Sequence, residues 1–90
     1  MARISYDGLN NAPAQEVADA SFMVLSTIQT LPQHIQCAAT AAVFLMLCEH
    51  FRVPAQDVFV ATKNILMDER EGQSLSFNTC RLYIQHEIAK

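Results

Sequence analysis

The stretch from Cys37 to Phe51 reads CAATAAVFLMLCEHF, and from Ala41 to Cys48 it carries no polar side chain. An amphipathic helix needs one apolar stripe, whereas a helix that is apolar all round for two turns must be covered on every side. Only 90 residues are present to do this, and a chain of that size buries about two thirds of its unfolded surface around one core. A single domain over 1–90 is therefore expected, with an N-terminal arm at 1–12 and a helical bundle at 13–90. The cover available to the apolar helix is the arm and the other helices.

Three prolines, Pro13, Pro32 and Pro54, each stand where a helical pattern begins, and only two glycines interrupt the chain, in keeping with the first-turn preference of Pro. The expected fold class is all-α: a compact four-helix bundle with a central apolar helix at about 32–51 and a short N-terminal arm. The first helix, about 13–30 with Asn11 as cap, turns Ala14, Val17, Ala18, Ser21, Val24, Leu25 and Ile28 to one side. Thr30 and Gln33 give the second a capping-box spacing. The third, about 54–67, places Asp57 at the positive end of its dipole and Val58, Thr62, Ile65 and Leu66 inward, with Phe59 flanking them. The charged segment DEREGQS then reads as a solvated loop and the most mobile part of the chain. A fourth helix, about 76–89 with Ser76 as cap, buries Phe77, Cys80, Ile84 and Ile88. Ahead of them all, RISYDGLN has an Asp-Gly turn signal but no second strand to pair with, and reads as an arm packed on the bundle.

Charge narrows the partners. The net charge is −3, and the six basic residues are scattered through the sequence, so neutralising phosphates is not the chain's main work and nucleic acid is a disfavoured partner. Three cysteines, an odd number in apolar surroundings, suit reduced thiols and a cytoplasmic location. The first fifteen residues have one Arg and no apolar core, unlike a secretory signal. No run approaches the 18 apolar residues of a spanning helix, so no membrane is expected as a partner.

Chemistry is sparse. The segment LCEHFRVPAQDVFVATKNI, at 47–65, has the spacing of a helix-turn-helix, and the 47–67 unit would offer Gln56, Lys63 and Asn64 to DNA. Arg52 falls where that turn favours Gly for a left-handed backbone, and Asp57 would repel phosphate. Two packed helices joined by a short turn account for the pattern better. His34 and Cys37 share a helix face, but no CxxC or HxxxH pair exists, so no metal and no cofactor are expected. Cys37 and Cys48 lie in an apolar helix, which raises a thiol pKa and argues against a nucleophile. With no Gly-rich phosphate loop and little room for a pocket of several hundred Å³, no catalytic residues and no enzyme are expected.

What is left over is apolar. Met23 projects from the polar side of the first helix, Val60 and Met67 form a stripe nearly opposite Ile65 with Lys63 beside them, and Leu82 and Tyr83 fall off the core face of the fourth helix. These six residues, Met23, Val60, Lys63, Met67, Leu82 and Tyr83, are the candidate protein-binding set. The expected role is a small non-enzymatic binding or regulatory protein of the adaptor or inhibitor kind, acting through helix surfaces on a protein partner or as a homodimer. Its size is that of the accessory proteins bacteria and their phages encode. The alternative is the nucleic-acid regulator using 47–67.

Overall fold

The computed structural model describes residues 4–67 and 73–88. Five α-helices follow one another: α1 (Tyr6–Asn10), α2 (Ala14–Ile28), α3 (Gln33–Phe51), α4 (Ala55–Met67) and α5 (Gln73–Tyr83), the last continuing into a π-helical turn at Ile84–Ile88. The all-α bundle read from the sequence is the architecture that forms. The charged loop lies outside the described residues apart from Gln73 and Ser74, which begin α5 three residues ahead of the expected Ser76 cap.

Start signals differ in detail from the sequence reading. Pro13 and Pro32 stand at the N-cap positions of α2 and α3 without a side-chain capping bond, since a missing N–H costs nothing there. The Thr30 capping box does not form. Asn11 closes α1 rather than opening α2: its backbone N–H and its Nδ2 both donate to the Asp7 carbonyl, at 3.0 and 2.9 Å. The arm thus holds one short helix, started by Ser5, whose Oγ accepts from the Gly8 N–H at 3.0 Å. It packs on α4, where the Tyr6 hydroxyl donates to Asp57 Oδ2 at 3.0 Å.

The core sits between α2, α4 and α5. Ala14 and Ala18 of α2, Ile65 of α4 and Phe77 of α5 form one buried cluster, edged by Ala12, Val17 and Leu66. Two alanines one turn apart let α5 approach closely, and the buried Cys80 thiol donates to the Ala18 carbonyl at 3.4 Å. Ser21 lines the same side half-buried, its hydroxyl satisfied by the Val17 carbonyl at 2.7 Å. Val24 and Ile84, expected inside, are exposed at 47% and 39%, and Phe59, expected to flank the inward face of α4, is 51% exposed.

The central position expected for the 32–51 helix is not what a single chain provides. α3 packs on α4 and buries only Gln36 and Cys48, one near each end. Gln36 Nε2 donates to the carbonyls of Ile28 and Gln29, at 3.1 and 3.4 Å, and so closes the end of α2. At the other end Arg52 adopts a left-handed backbone, φ 55° and ψ 44°. The Val53 N–H returns to the Cys48 carbonyl and the Arg52 N–H to that of Glu49, at 3.0 and 3.3 Å. This is a Schellman ending, completed by burial of Cys48 and Val53 together. Between these anchors only Ala39 and Phe44 are half-buried and the rest of α3 is exposed, because the cover assigned to it is spent on the α2–α5 core.

Candidate functional site

Among the described residues no large side chain is fully buried, while fourteen large hydrophobics are exposed, five of them on α3. Val43, Leu45, Met46 and Leu47 stand between 51% and 58% exposed. The whole chain shows 6576 Å² to solvent, where a folded monomer of 10.0 kDa shows about 5,200 Å². The body is correspondingly flat, 39 × 31 × 17 Å, with a radius of gyration of 13.8 Å against about 12 Å for a compact chain of this length.

The inner side of α3 borders an open apolar cleft. A hollow of about 510 Å³ lies between Leu25 and Ile28 of α2, Thr40 and Phe44 of α3, and Ile84 and Ile88 of the π-helical turn. A neighbouring one of about 450 Å³ shares Leu25, Ile28, Thr40 and Ile84 and reaches Phe77 and Arg81. The expectation of too little room for such hollows is therefore wrong: the space lined by α2, α3 and the π-helical turn is left unfilled. Among the described residues no group of three or more His, Cys, Asp or Glu side chains gathers as a metal site. Cys37, expected buried, is exposed, while Cys48 and Cys80 are buried. Burial foremost, with Asp19 adding, pushes the Cys80 thiol above its ordinary pKa against the opposing pull of Arg81, which keeps it protonated and unreactive.

The residues singled out by sequence fall in two places. On α4, Val60 and Met67 are exposed at 46% and 70% while Ile65 is buried at 8%, as the helical spacing requires. Lys63 is exposed beside them, its Nζ 5.6 Å from the centre of the Phe59 ring. Gln56 and Asn64 are exposed on the same helix. On α2, Met23 is 70% exposed at the rim of a shallow hollow with Phe22 and Thr79. Leu82 is 53% exposed, but Tyr83 is half-buried and meets Phe22 edge to face, ring centres 4.8 Å apart, so it belongs more to packing than to a free surface. The bare apolar face of α3 was missed. Its signal was present in the unbroken apolar run, which sequence reasoning spent on a buried helix.

Among the described residues α3 is also the one helix long and apolar enough, by length and composition, to cross a membrane, with a mean hydropathy of 1.2; the sequence reading had set this aside. Its strictly apolar run from Ala41 to Cys48 is about 12 Å long, against a hydrocarbon core of about 30 Å.

Fold and surface together define an all-α bundle with an unfinished apolar face. Compared with known proteins, the chain matches no family model, no curated protein and no solved structure.

Proposed function

We propose that this chain is a small non-enzymatic protein-binding module, of the adaptor or inhibitor kind, that works through its helix surfaces. The observation that carries the reading is the set of exposed large hydrophobics: fourteen stand on the surface among the described residues, five of them on α3. Exposed apolar side chains gathered on a helix face mark sites of association. Flexible Met23, Met46 and Met67, all exposed, suit a surface that adapts to its partner. The nucleic-acid alternative at Gln56, Lys63 and Asn64 is weaker, because the net charge is −3 and Asp57 is exposed on the same helix.

The test compares capture by the wild type with capture by a Val60→Glu, Met67→Glu double variant. Both positions lie away from buried Ile65, so the variant should keep its helical circular dichroism and lose bound protein, since an interface buries a new carboxylate only at high cost. A variant that folds and retains every partner would remove the α4 stripe from the binding surface. Tight, sequence-selective binding of duplex DNA abolished by Lys63→Ala would replace the reading altogether.

A further inference from the structure

We infer that the bare face of α3 is where two copies of this chain pair, antiparallel, about a two-fold axis at Ala42. The inference rests on the reading of the chain as a protein-binding module and names its partner. At 3.6 residues per turn the side of α3 centred on Ala42 carries Ile35, Ala38, Ala39, Leu45, Met46 and Glu49, the positions three, four and seven residues to either side. Buried Gln36 and Cys48 lie on the opposite half. Apart from half-buried Ala39, this side is solvent-exposed.

The side chains on this face are asymmetric in a way that a two-fold axis resolves. In the turn before Ala42 they are small, Ala38 and Ala39; in the turn after it they are large, Leu45 and Met46. An isologous interface sets each position against its mirror, so Ala38 meets Met46 of the second copy and Ala39 meets Leu45. Leu45 and Met46 then each face an alanine, and Ala42 faces Ala42, where the backbones approach most closely. A parallel pair would instead set large against large and leave gaps between the alanines.

Charge agrees. Glu49 sits in the last turn of α3, the negative end of its own helix, where a carboxylate is disfavoured. In the antiparallel pair it lies beside Ile35, in the first turn of the second copy's α3, which has no side-chain cap of its own. The carboxylate moves from the wrong end of one dipole to the right end of another. Exposure agrees as well: α3 carries five of the fourteen large hydrophobics that stand exposed among the described residues.

The decisive experiment measures mass by light scattering on the wild-type chain, Ala38→Lys, Met46→Glu and the two changes combined. The wild type should be a dimer. Either single change should weaken it about 100-fold, as an unpaired charge buried in an interface does, and the combination should recover most of the loss. Positions 38 and 46 are more than two turns apart on one helix, so recovery requires contact between copies in the antiparallel register, and simple unfolding cannot mimic it. As an independent readout, Ala42→Cys in a Cys37→Ser background should cross-link to itself with a short bis-maleimide, and Lys63→Cys in that background should not. A wild type that is monomeric at micromolar concentration overturns the pairing, as does a dimer showing neither recovery nor the cross-link, or a chain that floats with phosphatidylcholine vesicles instead of self-associating. If the monomer nonetheless captures a protein through Val60 and Met67, the pairing falls while the binding-module reading stands.

Discussion

α2 and α3 are almost equally apolar and pack differently. α2 carries its apolar residues, Met23 apart, mostly on one side, with Glu16 and Asp19 elsewhere, and it buries Ala14 and Ala18 against α5. α3 spreads its apolar residues round the whole circumference, and the two residues it buries, Gln36 and Cys48, lie near its ends rather than in one stripe. One-sidedness, more than apolar content, decides what a helix packs on inside its own chain, because a stripe can be covered by one neighbour and a full cylinder cannot. A 90-residue chain runs out of neighbours.

The contrast is broken most severely at Phe77, which is 4% exposed in the α2–α5 core. Phe77→Ala should cost about 3–5 kcal/mol in urea melts, as truncation of a buried aromatic does, and that cost should not depend on protein concentration. Less than about 1 kcal/mol would mean the core lies elsewhere.

Leu45 is the matching probe of α3. A buried, central leucine would lose about 2–5 kcal/mol on truncation to Ala. At 55% exposure the intrachain loss should be nearer 1 kcal/mol, with the remainder appearing only as a loss of association. Melts at two widely separated protein concentrations separate the two parts, and a large, concentration-independent loss would return α3 to the interior.

Much of this fold was legible before any coordinates. Helical periodicity located four long helices to within a few residues, and it oriented α4 well enough to put Val60 and Met67 outside and Ile65 inside. Capping was less legible, because Asn11 could close one helix as well as open the next and the five residues of α1 are too few to show a period. Cover was not legible at all. An apolar circumference states that a helix must be buried without saying by which chain, and contacts such as Tyr83 on Phe22 depend on how helices distant in sequence come together.

A smaller test of the tight half is its dependence on pH. The Cys80 thiol is raised by burial and by Asp19, and the Tyr6 hydroxyl by its hydrogen bond to Asp57. A raised folded pKa gives stability that is complete below the unfolded value and lost as pH climbs through the folded one. For the thiol that decline begins near its unfolded pKa of about 8.5, and for the phenol near 10. Urea midpoints should therefore fall on the alkaline side, less steeply in Cys80→Ala than in wild type, with Tyr6→Phe removing only the later part. In native protein at pH 8, Cys37 should react with a maleimide well before Cys48 or Cys80. Equal slopes for wild type and Cys80→Ala would mean that the thiol is solvated.

The smallest expected effect lies at the joint between the two regions. Arg52 holds a left-handed backbone at φ 55°, a conformation that a side chain disfavours and Gly adopts freely. The Schellman bonds that end α3 are made by the backbone of residues 52 and 53, so Arg52→Gly keeps them while removing the strain. The wider unfolded freedom of Gly offsets part of the gain. A net stabilisation of about 0.5–1 kcal/mol is expected. Because the turn fixes α3 against α4 without touching the face around Ala42, the gain should appear at every protein concentration and leave the dimer affinity unchanged. A loss of stability would show that the Arg52 side chain holds the turn through contacts of its own. An altered dimer affinity would show that the exposed face of α3 is tied to this joint, and that the tight half and the bare half are less independent than their packing suggests.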